Sequence, residues 1–382
     1  MGSERDNVGT VEDLHASATK VTGLADFGTD DYRDGLAVLL ESYARDAGLT
    51  PLGRKVKRSF LRGALVARLL SEAAWKSWPE YATVGIERPI FVTGLPRTGT
   101  TALHRLLAAD PAHQGLEMWL TQVPGPRPPR ETWAANPVFQ QIQAGYERHH
   151  AEHPEFMGVH YVAADQVEEC WQLLRQSMRS ISWECLAHLP SYSAWLRTQD
   201  WTGAYRRHRR NLQLIGLGTD RRWVLKNPSH LFALDALLAV YPDALIVQTH
   251  RAPGVAIASV CSLAAQASAG WSDTFTGEVI GRDQLELWAS GLERFGAERA
   301  RHDPGRFLDV SYDDLVRDPL STVESVYGYF GLPLSVAAAD AMRHLTAGNE
   351  GRGRPSHRYT LGEFGLTEET VAERFGPAII AG

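Results

Sequence analysis

An α/β fold, with helices on both faces of a central and mostly parallel sheet, is the architecture that this 382-residue sequence predicts. Three observations predict it. Strand-like runs recur at Pro89–Gly94, Arg222–Lys226, Ala244–His250 and Phe307–Tyr312, and helical patterns separate the later ones, which is the signature of βαβ units. Turn signals, Asn227-Pro228 and Ala252-Pro253, fall just beyond strand ends. The first apolar run breaks into Gly94-Leu95-Pro96-Arg97-Thr98-Gly99, and a helix then starts on Thr100 and Thr101. A strand, a Gly/Pro-broken loop and a helix N-terminus together form a cradle of backbone N–H groups for an anion.

Residues 8–48 read as one or two helices, and a basic helix follows from about Val56 to Ser71. The Gly85–Arg88 link leads into the first strand. The helix after the loop runs through Leu107, and Pro111 ends its register. Glu117-Met118-Trp119-Leu120 reads as a short second strand. Gly125-Pro126-Arg127-Pro128-Pro129-Arg130 cannot be helix interior, because proline removes a donor and clashes with the preceding turn; a surface loop or flap is expected. The region from Pro137 to Leu217 is mostly helical, with interruptions near Gly158–Asp165 and at Pro190. Further helices are expected over Leu231–Val240 and Pro253–Ala264. The fold class is therefore P-loop-like, three layers in one domain spanning 1–382. A helical N-terminal cap occupies 1–88, and a helical insertion over 137–217 forms the side that faces an acceptor.

Hydrophobic residues make up 44% and charged residues 22% of the chain, which is ordinary globular composition and allows a large core. A net charge of -6 gives no reason to expect nucleic acid or an anionic membrane as partner, so any anionic ligand must be held by local cations. The three cysteines, Cys170, Cys185 and Cys261, form no CxxC and support neither a disulfide framework nor a zinc site. The first residues lack an apolar signal core, and no run reaches the ~18 apolar residues of a membrane span. A cytoplasmic location is expected; homo-oligomerisation is left open. Eleven tryptophans are unusual. Most belong in a core, and a subset lining a cleft would make an apolar pocket.

The spacing Gly94-x4-Gly99 matches a nucleotide-binding loop, but Thr100 stands where the Walker lysine is required. The cation lies inside the loop, at Arg97. This argues against nucleoside triphosphate hydrolysis and for a nucleotide phosphate or sulfate. Arg251 closes a later strand, with Ser259 two helical turns on. An arginine fork and a hydroxyl suit a phosphate; the plainer alternative is a strand-end arginine bound to a helix carboxylate. Arg97, Lys226 and Arg251 all fall at the carboxyl ends of strands, where ligands bind in such sheets.

Taken together, these segments resemble the sulfotransferase family that uses 3′-phosphoadenosine 5′-phosphosulfate, in its bacterial branch of actinobacterial and polyketide-associated members. Pro96-Arg97-Thr98-Gly99-Thr100-Thr101 is similar to the family's 5′-phosphosulfate loop, and Arg251 with Ser259 to its 3′-phosphate site. Val224-Leu225-Lys226-Asn227-Pro228 with His230, and the tail His357–Leu366, are similar to the same branch. Arg97 departs from the lysine of the best-studied members. The resemblance implies sulfuryl transfer to a hydrophobic, hydroxyl-bearing small molecule or lipid, with adenosine 3′,5′-bisphosphate as product and no obligatory metal. It also implies a glycine-rich tail flap in which Arg354 is the expected nucleotide contact.

Such a transfer needs pinned phosphates, a stabilised leaving oxygen and a base for the acceptor hydroxyl. Arg97 and Lys226 are the expected electrostatic pair, with Thr100 and Thr101 supplementing the loop. His160 is the expected base, because an unperturbed histidine titrates near neutrality. His230 and a carboxylate such as Glu117 or Glu168 are the alternatives. A P-loop kinase, or a nucleotide-binding protein without catalysis, is the competing function.

Overall fold

The computed structural model describes residues 8–152, 162–347 and 360–376. Three helices come first: α1 (Val11–Thr22), α2 (Arg33–Arg45) and α3 (Pro51–Ser77). Thr10 caps α1 by accepting from the Asp13 amide, and Thr50 caps α3 by accepting from Gly53 ahead of Pro51 at the first helical position. These caps explain why α3 begins earlier than the apolar periodicity alone suggests. The chain then enters β1 (Ile90–Gly94), α4 (Thr100–Ala108), β2 (His113–Gln114) and α5 (Met118–Gln122). The insertion holds α6 (Pro137–Glu152), α7 (Trp171–Arg175), α8 (Pro190–Arg197) and α9 (Thr202–Ile215). Regular alternation resumes with β3 (Arg222–Lys226), α10 (Leu234–Val240), β4 (Leu245–His250), α11 (Pro253–Ala267), α12 (Gly277–Arg299) and β5 (Phe307–Ser311). The remaining helices are α13 (Tyr312–Arg317), α14 (Pro319–Phe330), α15 (Val336–Ala347) and α16 (Glu368–Phe375).

The sheet has five strands in the order β2-β3-β1-β4-β5, and every neighbouring pair is parallel. β1 is central and buried at all its positions, as a parallel strand covered on both faces must be. Its side chains alternate between two cores. Phe91 joins Leu225, Ile246, the N-terminal helices and the insertion. Ile90 and Val92 join Val224, Val247 and the apolar faces of α4, α14 and α15. Leu14, Leu36 and Leu39 from the N-terminal helices lie in the first of these cores, so the cap shares its apolar interior with the sheet.

Two expectations about elements need correction. The run from Glu117 to Leu120 is not a strand: Met118–Gln122 is a short helix, and the edge strand is the two-residue His113–Gln114. A short apolar run carries no decisive period, and here the helix wins by burying Met118, Trp119 and Leu120 together. The break expected at Pro190 falls just before it, and Pro190 takes the first position of α8. The expected helix over Leu231–Val240 is divided between a 3-10 turn, Pro228–Phe232, and α10. Among the described residues no helix is long and apolar enough to cross a membrane.

A lysine is buried in the cap. Lys57 is 2% exposed, donates to the Leu186 carbonyl at 2.9 Å and lies 4.9 Å from the Trp271 ring centroid. Burial pushes its ammonium down to about 7. The unfolded chain holds that proton up to about pH 10. The unfolded state therefore binds more protons between about pH 7 and pH 10, and stability rises with pH across that window, with the penalty fully present below it. Lys57→Met is expected to raise the melting temperature near pH 6, by an amount that shrinks toward pH 10. Thermal melts at both ends check this, and a variant destabilised equally at both would contradict it.

Candidate active site

The loop after β1 is shaped by three residues in the left-handed region. Gly94 has φ 142°, Arg97 72° and Gly99 90°. A Cβ on Gly94 would lie 2.5 Å from the Thr249 carbonyl oxygen, so the loop can leave the sheet this close to β4 only with glycine there. Arg97 adopts its conformation with a full side chain, a strain of the sort that gathers at functional sites. The Thr98 hydroxyl donates to the Leu95 carbonyl at 2.7 Å and meets the Thr249 hydroxyl at 2.5 Å. That hydroxyl therefore fixes the loop from beneath, and Thr98 has only its amide to offer an anion. The amides of Thr98, Gly99, Thr100 and Thr101 donate to no group among the described residues. They lie at and just before the N-terminus of α4, where amides can donate to an anion.

Arg97, Arg251 and Ser259 are brought together beside this cradle. Arg97 Nε donates to Ser259 Oγ at 3.1 Å, and Arg251 Nη1 donates to the Arg97 carbonyl at 3.1 Å. The Arg251 guanidinium lies 4.0 Å from the Tyr312 ring centroid. Ser259 reaches this group because it stands on the second turn of α11, whose start at Pro253 follows the end of β4. No helix carboxylate bonds Arg251 among the described residues, so the plainer reading of that arginine is not what the chain adopts.

Lys226 ends β3, is 1% exposed, and turns its ammonium toward the cradle. Nζ donates to Thr101 Oγ1 at 3.1 Å and to Glu169 Oε1 at 2.5 Å. Glu169 is held by its neighbours rather than by a helix. Val167 bridges to Glu117, the Glu168 amide donates to the Leu116 carbonyl at 2.8 Å, and the Cys170 amide donates to the Lys226 carbonyl at 3.1 Å. The Glu169 amide itself donates to the Glu168 carboxylate at 3.0 Å. Both flanks of Glu169 are thus stitched to the strand-end region, and its carboxylate is presented beside the cradle.

A cavity of about 190 Å³ opens from this point. Pro96, Arg97, Thr100, Thr101, Glu169 and Asn227 line its polar end. Trp171, Ile181, Leu186, Val260, Leu263 and Trp288 supply apolar walls from the insertion, α11 and α12. Two of the eleven tryptophans therefore face the cavity, while Trp75, Trp119, Trp133, Trp183, Trp201 and Trp223 are core residues. The Asn227 carboxamide oxygen accepts from the Ser229 amide at 2.9 Å, which aims Nδ2. That nitrogen is buried with no partner among the described residues, a donor available to a bound oxygen.

The alternatives for a base fall differently from expectation. Glu117 does not line the cavity: it accepts from Arg127 Nε and Nη2 at 3.0 and 2.9 Å and fixes the proline-rich loop. His230 does not line the cavity. It is 1% exposed, bonded through Nδ1 to the Tyr205 hydroxyl at 2.7 Å and set edge-on to Phe91. Burial holds its pKa well below the usual histidine range. Glu168 is buried and turned to the Glu169 amide. His160 and Arg354 lie outside the described residues. Glu169 is the titratable group that the sequence did not single out as a base. The only sequence signal was its place in an acidic pair ahead of a helix, which reads equally well as a helix-dipole feature.

Comparison with known proteins places the chain in a family. A model of the sulfotransferase family matches residues 89–336. The crystal structure of sulfotransferase STF1 from Mycobacterium tuberculosis H37Rv superposes with a TM-score of 0.92; it is 60% identical, over 97% of this chain and 99% of that one. Sulfotransferase STF9 from Mycobacterium avium gives 0.88 at 28% identity, over 96% and 95% of the two chains. Among curated proteins, the omega-hydroxy-beta-dihydromenaquinone-9 sulfotransferase Stf3 of Mycobacterium bovis is 25% identical over 77% of this chain and 76% of its own length. The matched segment begins one residue before β1 and takes in the cradle, Glu169, Lys226, Arg251 and Ser259, and on that footing the chain is a sulfotransferase, a member of the sulfotransferase family.

Proposed function

We propose that the sulfuryl donor is 3′-phosphoadenosine 5′-phosphosulfate and that the acceptor is the hydroxyl of a hydrophobic small molecule or lipid. The observation that carries this reading is the seating of Lys226 and Glu169 where the anion cradle meets an apolar cavity. Pro96, Arg97, Thr98, Gly99, Thr100 and Thr101 hold the phosphosulfate, the threonines at 98 to 101 and Gly99 chiefly through their amides. Arg251 and Ser259 hold the 3′-phosphate. Arg354 is retained as the tail contact that the family pattern suggests. Stf3, by its name, acts on a hydroxylated dihydromenaquinone, and the aromatic and aliphatic walls suit an acceptor of similar apolarity.

The chemistry follows from these positions. The acceptor oxygen forms a bond to sulfur while the bond from sulfur to the phosphate oxygen breaks, and the electron pair goes to that oxygen. Lys226 and Arg97 stabilise the charge that develops there, in a site walled by apolar groups where such contacts are strongest. The acceptor proton goes to the Glu169 carboxylate. This assigns to Glu169 the role expected of His160. Lys226 joins the two events, because the same ammonium bonds Glu169 before the donor arrives and faces the leaving oxygen when it is bound.

Nucleotide recognition has its own test. Arg251→Ala is expected to weaken adenosine 3′,5′-bisphosphate by about 1.5–3 kcal/mol, roughly 10- to 150-fold, as the loss of a charge-assisted hydrogen bond should. Adenosine 5′-phosphate, which lacks the 3′ group, should lose no more than about twofold. Calorimetric titration of both ligands decides, and equal losses would place Arg251 away from the 3′ end.

A further inference from the structure

The cavity wall contributed by the insertion holds a polar spot that the transfer chemistry does not use. Ser182 lines the cavity. Its oxygen accepts from Arg175 Nε at 2.8 Å and lies 2.8 Å from Ser180 Oγ. Ser180 Oγ also accepts from the Ser182 amide at 3.3 Å. The two hydroxyls carry two hydrogens, yet a single oxygen–oxygen contact joins them, and neither hydroxyl donates elsewhere among the described residues. One hydrogen must therefore point away from the pair. Ser180 is wholly buried, whereas Ser182 faces the cavity. The arrangement that strands no buried donor has Ser180 donating to Ser182 and Ser182 directing its own hydrogen into the cavity.

Arg175 strengthens that donor. It is 6% exposed, and its guanidinium lies 4.7 and 5.0 Å from the ring centroids of Trp171 and Trp183. Among the described residues no carboxylate lies within ion-pair distance of it. A cation that donates to a hydroxyl oxygen polarises the O–H bond and makes the hydroxyl a better donor and a poorer acceptor. We propose that Ser182 is a specificity-determining residue whose hydroxyl donates to a carbonyl oxygen of the acceptor, distinct from the hydroxyl that receives the sulfuryl group, and that Arg175 is its positioning residue. The acceptor class is then an apolar alcohol or phenol that also carries a carbonyl group. This rests on the reading of the cavity as the acceptor site.

The test uses matched pairs of phenols: para-hydroxyacetophenone with para-isopropylphenol, and a longer pair in which two methylenes separate ring and carbonyl, with its branched-alkyl counterpart. Dissociation constants are measured with adenosine 3′,5′-bisphosphate present, and kcat/KM with the sulfuryl donor. In the wild type one carbonyl compound should bind on the order of tenfold more tightly than its alkyl partner, as a hydrogen bond to a polarised donor predicts. Ser182→Ala should abolish that difference while leaving the alkyl phenol within about twofold, and Ser182→Thr, which keeps the hydroxyl, should retain it. Arg175→Lys should raise KM for the carbonyl compound alone and leave kcat unchanged. If Arg175→Lys fails to fold, the Ser182 variants decide without it. Equal binding within both pairs in the wild type, or a difference that survives Ser182→Ala, would overturn the proposal. The binding arm does not depend on turnover, so a retained preference without sulfuryl transfer counts against the donor reading and leaves this one standing.

Discussion

Glu169→Gln is expected to lower turnover on an aliphatic alcohol by about 10²–10⁴-fold, the loss typical of a missing general base. The substitution keeps the shape and removes the proton acceptor. Affinity for adenosine 3′,5′-bisphosphate should change little, because the carboxylate touches Lys226 and the cavity and not the cradle amides. An acceptor that ionises readily, such as a nitrophenol, should escape most of the loss, since it arrives already deprotonated. That split between acceptors is the diagnostic result. A uniform loss across all acceptors would mean that Glu169 serves only to hold Lys226. Retention of more than about a third of wild-type turnover on the alcohol would exclude it as the base, and His160→Ala would then be the variant to make.

Lys226→Met is expected to lower kcat by about 10²–10³-fold, or about 3–4 kcal/mol, with little change in KM for the acceptor. The physical reason is that the ammonium is placed for charge that grows only as the sulfur–oxygen bond breaks, so its loss falls on the transition state. Methionine fills the buried channel that the aliphatic stem occupies, which limits the packing penalty. Glu169 loses its partner in this variant, so the two effects are not additive. The double variant with Glu169→Gln should be little worse than the poorer single one. Full additivity would show that the two residues act in separate steps.

The parts of this molecule that were legible in its sequence are those written locally. β1, β3 and β4 were readable because inner parallel strands, covered on both faces, are largely buried runs, and the edge strand β5 because Phe307, Leu308 and Val310 follow the turn at Pro304 and Gly305. The cradle was readable because its glycines, arginine and threonines lie within eight residues, Gly94 to Thr101. The Arg251–Ser259 pair needed only one strand end and two turns of helix. What escaped was assembled across the chain. Glu169 gains its meaning from Lys226, 57 positions away, and from amide bonds to Leu116 and Lys226 that no local pattern announces. Glu117 was open to misreading because its partner Arg127 sits in a loop whose prolines signal only the absence of helix. The loop pattern does not show which threonine hydroxyls face a ligand, and tertiary packing turns that of Thr98 to Thr249. The short helix at Met118 failed for another reason, since five residues do not display a period.

Transfer of radiolabelled sulfuryl from 3′-phosphoadenosine 5′-[³⁵S]phosphosulfate to a panel of apolar alcohols, phenols and lipid hydroxyls, with EDTA present, tests the central claim most directly. The predicted result is labelled sulfate ester on at least one acceptor, formed in equal amount with adenosine 3′,5′-bisphosphate and lost in Lys226→Met. Failure of the purified protein to bind the donor, or transfer that Lys226→Met leaves intact, would contradict the account.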